Sequence, residues 1–142
     1  MVIKAESDNP KRAKNVLQEI TKIILREHQE KIKFERENIN RKIEQTQTEI
    51  NLYKDNISRI ENKIAFAKRE KKNLQAQVNA LEKTLIYNQT PGTQFALFNI
   101  KEKLENKNKE IENLYAQLTS CKIHLENLNF TIKSLKYNRK KI

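Results

Sequence analysis

Hydrophobic residues recur along this chain at spacings of three and four, the signature of helices that bury one stripe. From Ile39 the pattern is a regular heptad. One row reads Ile43, Ile50, Ile57, Ile64, Lys71, Val78, Leu85, and the other Ile39, Thr46, Tyr53, Ile60, Ala67, Leu74, Leu81, Asn88. After Asn88-Gln89-Thr90-Pro91-Gly92-Thr93, which holds the only glycine and one of two prolines, the heptad resumes. Its rows are then Leu97, Leu104, Ile111, Leu118, Leu125, Ile132, Arg139 and Ile100, Lys107, Leu114, Cys121, Leu128, Leu135, Ile142. Two such seams on one chain, joined by a short break, predict an all-α fold: a long antiparallel coiled-coil helical hairpin.

The first helix is expected to start at Asn9 or Asp8 as cap with Pro10 in the first turn, where no amide hydrogen is needed. No glycine or proline follows until the break, so a single helix of about 78 residues, roughly 115 Å, is expected. Its N-terminal part carries a wide apolar stripe of Ala13, Val16, Leu17, Ile20, Ile23, Ile24 and Leu25. Between Arg26 and Asn38 the pattern thins to Ile32 and Phe34 among charges, and there the phase slips or the helix bends. Thr93 is the expected cap of the second helix.

Two registers satisfy the seams. One pairs Leu85 with Ile100, Leu74 with Ile111, Ala67 with Leu118 and Ile43 with Ile142, so that Lys71 and Lys107 each face one apolar side chain and snorkel past it. The register one heptad tighter sets Lys71 opposite Lys107, two like charges in a seam, and the first is preferred for that reason. The expected organisation is a disordered N-terminus over 1–9, a helical overhang over 10–42, and a hairpin over 43–142 with its tip loop near 88–94. The overhang keeps an apolar stripe that an isolated helix cannot bury. Oligomerisation into a helical bundle is expected, through Val16, Leu17, Ile20, Ile24 and Leu25 together with an outer stripe of Ile123, Phe130 and Tyr137. The partner is a second copy, giving a homodimer, or another helical protein.

Composition narrows the function classes. The chain of 142 residues is 33% charged and 6% aromatic, without tryptophan, and its mean hydropathy is −0.87, so no thick core is expected. The N-terminus has no signal-peptide core and the longest apolar run is Ile23-Ile24-Leu25, which predicts a soluble protein. The single cysteine, Cys121, allows no intrachain disulfide and suits a reducing compartment, the cytoplasm or the nucleus. It sits in the heptad row, as a small core residue would.

Candidate chemistry is sparse. His28 and His124 have no cysteine or carboxylate at metal-ligand spacing, and no phosphate loop or nucleophile motif is present. The expectation is therefore no enzyme, no cofactor, no metal and no small-molecule substrate. The tip is poor in charge, with only Glu82 and Lys83 between Asn73 and Ile100. It carries Tyr87, Phe95 and Phe98 beside Ile86 and Leu97, which either close the end of the hairpin or dock a partner.

A net charge of +11 draws polyanions. Lys133, Lys136, Arg139, Lys140 and Lys141 lie in a stretch without any acid, Asn127 to Ile142, a candidate for sequence-indifferent nucleic-acid binding. The same residues also complement a helix C-terminus. A basic amphipathic helix near the N-terminus is compatible with an anionic membrane surface as well. The predicted function is a coiled-coil scaffold mediating protein–protein interaction and self-association, with nucleic-acid association through the C-terminal cluster as the alternative. In outline the predicted hairpin is similar to the antiparallel coiled-coil stalks of flagellar and type III export ATPases, a similarity of architecture that implies a rigid spacer.

Overall fold

The structure, a computed structural model, describes residues 9–142 and is all-helical among them. The expectation of disorder before Asn9 lies outside the described residues. Helix α1 runs from Pro10 to Tyr87 and α2 from Pro91 to Lys141, and the two pack against each other as an antiparallel pair. No break interrupts α1 between Arg26 and Asn38.

Both helices start by the same device. The Asn9 side-chain oxygen accepts the amides of Lys11 at 3.1 Å and Arg12 at 3.4 Å, and Pro10 occupies the first helical position. At α2 the equivalent residue is Thr90, not Thr93. The Thr90 hydroxyl accepts the Thr93 amide at 3.2 Å, the Thr90 and Thr93 hydroxyls share a bond of 2.7 Å, and Pro91 follows. Such a cap stabilises a helix by about 1 kcal/mol. The connection is therefore three residues, Asn88 to Thr90, rather than the longer loop expected. Gly92 lies in the first turn of α2 with no positive φ, and a side chain there would meet open space. The turn does not depend on glycine.

The chain divides into two units. The turn unit, Thr48–Phe130, holds a narrow core of Ile64, Ala67, Ile111, Leu114 and Leu118, against which Ile57 and Ile60 pack. Ile64 levels with Leu114, Ala67 with Ile111 and Ile60 with Leu118. This is the tighter register, and it corrects the preference for the looser one. The short connection dictates it: with α1 ending at Tyr87 and α2 starting at Pro91, the rows meet one heptad earlier than a start near Thr93 implies.

The terminal unit comprises residues up to Gln47 together with Thr131–Ile142. Here Arg139 donates to the Asn40 side-chain oxygen at 3.0 Å, and Arg36 donates to the carbonyl of Ile142, also at 3.0 Å. Ile132 is buried. The end of α2 thus lies level with Arg36, where the looser register would have stopped at Ile43. The α1 segment left without a facing helix among the described residues shortens to Pro10 through Glu35.

Candidate interaction surfaces

The repulsion held against the tighter register is relieved by two carboxylates. Lys107 forms ion pairs with Glu70 across the helix pair and with Glu110 on its own helix, the latter at 2.8 Å. In the looser register Lys107 would lie level with Val78, eight residues or about 12 Å along α1 from Glu70, and the cross-helix pair could not form. Lys71 turns outward and is exposed. The hydrogen bonds to Glu110 and then Glu70 raise the Lys107 pKa above its ordinary value of 10.5, against a smaller opposing effect of burial.

Lysine with a raised folded-state pKa adds stability that is fully present below its unfolded value and is lost as pH rises through the folded one. The Lys107→Gln variant is accordingly expected to melt lower than the parent near neutral pH. The gap should close above about pH 10.5, as read by circular dichroism melts from pH 8 to 12. A gap that stays constant to pH 12 would remove the ion cluster from the stability of the turn unit. Because the carboxylates are partly exposed, each pair is worth no more than about 1 kcal/mol.

Sequence reasoning did not single out this cluster, nor the stacking of His124 on Tyr53, whose ring centroids lie 4.5 Å apart. The i,i+3 spacing of Lys107 and Glu110 was a legible signal, but the cross-helix carboxylate depends on register. Tyr115 lies under the Lys68 ammonium at 5.1 Å. Cys121 is half-buried and its thiol is free. Among the described residues no group of three or more His, Cys, Asp or Glu is placed to hold a metal ion.

The apolar candidates are exposed. At the turn, Tyr87 is 90% exposed and Phe95 and Phe98 about two-thirds exposed, so these rings do not cover the end of the core. Ile123 and Phe130 are exposed on α2 in the turn unit, and Tyr137 in the terminal unit. On α1, Val16, Ile20 and Leu25 are exposed, while Leu17 and Ile24 are half-buried.

Comparison with known proteins adds nothing to this geometry. No family model, curated protein or solved structure matches the chain. No described helix is long and apolar enough to cross a membrane.

Charge is distributed unevenly. The terminal unit carries sixteen Lys and Arg against eight Asp and Glu, a net +8 of the total +11, and the larger turn unit thirteen against ten. Ion pairs such as Lys101–Glu82, Lys107–Glu70 and Lys109–Glu105 belong to the turn unit. In the terminal unit Arg139 engages the neutral Asn40 side-chain oxygen, Arg36 the backbone oxygen of Ile142, and Lys141 lies over the Tyr137 ring at 4.5 Å from its centroid. The Arg139 and Lys141 contacts are to uncharged groups. Lys133, Lys136 and Lys140 are exposed beside them.

Proposed function

We propose that this chain is a non-enzymatic coiled-coil scaffold: the helix pair acts as a spacer, and the N-terminal segment of α1 associates with another helix, from its own copy or from a different protein. The observation that carries this is a second apolar stripe, Ala13, Leu17, Ile20 and Ile24, on the part of α1 that precedes Arg36, the residue the end of α2 reaches. An amphipathic helix gains most of its stability from packing that row against something. A soluble, reducing compartment fits the cysteine usage, and the exposed turn aromatics offer a second docking point.

The test is sedimentation and pull-down of the Ile24→Asp and Leu17→Asp variants. Association is expected to be lost while helicity, read at 222 nm, falls by no more than the share of the uncovered segment. Loss of all helix in either variant would overturn the division between spacer and association segment.

The excess of basic over acidic residues in the terminal unit favours a second reading, association with nucleic acid. Changing Lys133, Lys136 and Lys140 to glutamine should then reduce the slope of log affinity against log salt on duplex DNA by up to about 2.7, at ~0.9 for each phosphate that is no longer neutralised. Absence of binding by the parent chain even at low ionic strength would dismiss it.

A further inference from the structure

The side of the turn unit that carries Glu70 and Glu110 is open and holds both signs of charge. Two shallow grooves between the helices follow one another along it and share Glu110. Arg59, Lys63, Phe66 and Leu114 line the first, and Glu70, Asn73, Leu74 and Lys107 line the second. Lys63 and Glu70 are two turns apart, about 10 Å along α1, and so share a side. Phe66 stands between them, three residues after one and four before the other, and is 60% exposed.

The two halves of this face differ in sign. Among the described residues no carboxylate lies within ion-pair distance of Arg59 or Lys63. Glu70 and Glu110, by contrast, share the one ammonium of Lys107, which leaves their cluster at net −1 with carboxylate oxygens still able to accept. The face is therefore positive before Phe66 and negative after it.

Such a pattern is its own complement. A second copy turned about a two-fold axis at Phe66, with its α1 antiparallel across this one, sets each Lys63 against the other copy's Glu70 and ring against ring at the axis. The flanking positions agree: Leu52 meets Ala80, Asn56 meets Gln77, Arg59 meets Asn73 and Glu49 meets Thr84, all exposed in the single chain. No like charges meet along α1. A polyanion, in contrast, would be repelled by the Glu70–Glu110 half. Two helices side by side, each about 10 Å across, offer roughly 1,000 Å² over the ~50 Å from Glu49 to Thr84, against about 800 Å² per partner in a stable interface.

We infer that a second copy of this chain docks on this face, held by the reciprocal Lys63–Glu70 contacts around Phe66. The inference goes beyond the scaffold reading, which concerns the N-terminal segment of α1, and does not depend on it. With one ring pair and polar rows in place of a dry core, the contact is weak, with a Kd of about 10–100 µM. At about 1 µM, where melts and association through the N-terminal segment are read, this face is vacant.

The experiment is sedimentation equilibrium of the full chain from about 1 to 300 µM, for the parent, Lys63→Glu, Glu70→Lys and an equimolar mixture of the two variants. The parent is expected to approach twice 16.9 kDa at the top of the range. Each single variant sets like charges together at both places related by the axis and should weaken the dimer at least about tenfold. In the mixture opposite charges meet again at both places, and a dimer of parental strength should return. Because Glu70→Lys removes a partner of Lys107, its helicity at 222 nm is compared with the parent. Phe66→Asp is the second variant: it should weaken the dimer about tenfold or more and leave the melt at low concentration unchanged.

A parent at 16.9 kDa over the whole range overturns the inference. So does a dimer that persists in both Lys63→Glu and Phe66→Asp; its loss in Leu17→Asp would assign the association to the N-terminal segment and leave the scaffold reading standing. Single variants that dissociate without recovering on mixing overturn it as well, since Lys63 then faces something other than Glu70. A dimer that obeys the charge exchange, with no association dependent on Leu17 or Ile24, upholds this face and removes the scaffold segment instead.

Discussion

Replacing Ile64 with aspartate is expected to lower the thermal midpoint of the helix pair by roughly 15–30 °C. Ile64 is 6% exposed at the centre of the only core cluster described in the turn unit, among Ala67, Ile111, Leu114 and Leu118. Removing a buried branched aliphatic side chain costs about 2–5 kcal/mol, and a carboxylate placed there either pays for desolvation or is neutralised by a raised pKa. A two-helix seam has no second layer to absorb the loss. For a unit of this size each kcal/mol shifts the midpoint by about 4–8 °C.

Phe66→Asp is the control, because Phe66 is two residues away on the same helix and 60% exposed. Its effect should stay within about 0.5 kcal/mol. Circular dichroism melts of both variants decide the matter. Equal loss from the two would mean that the core lies elsewhere.

The second large effect tests register with the native cysteine. In the observed register Cys121 lies level with Ile57; in the looser one it would lie level with Ile64. Ile57→Cys under mild oxidation is therefore expected to lose both free thiols and two mass units in dilute solution, while Ile64→Cys stays reduced. A disulfide needs Cα atoms about 4.4–6.8 Å apart. A heptad of displacement adds about 10 Å along the axis, so the two variants cannot both close. Once formed, the Ile57→Cys bridge closes a loop of about 64 residues and should stabilise the pair by about 4 kcal/mol on chain-entropy grounds, less the methylenes removed from Ile57. Closure by Ile64→Cys alone would restore the looser register.

Much of the molecule was legible beforehand. The start of α1 at Pro10, its unbroken run to the break, and the membership of the buried rows follow from local chemistry. Asn9 caps, proline is tolerated in the first turn, and the spacing of Ile50, Ile64, Val78, Ile111 and Leu118 selects one face. The same rule applied at Thr90-Pro91 would have placed the start of α2 correctly. The rarity of glycine drew attention to Gly92, although its conformation is ordinary helix.

The candidate surfaces were legible as apolar or basic residues off the rows. Their grouping was not, because the uneven split of charge between the two units depends on which segment of α1 lies beside the end of α2.

What the sequence determined by itself, then, is periodic: helix, break, helix, and which side of each is buried. A heptad looks the same when shifted by seven residues, so the pattern cannot say where along α1 a given layer of α2 falls. That was decided by a three-residue connection closed by Thr90 and by the Glu70–Lys107–Glu110 cluster, which turns an apparent clash of lysines into a compensated contact. From that register alone follows the length of α1 left without a facing helix, and with it the surface on which the proposed function rests.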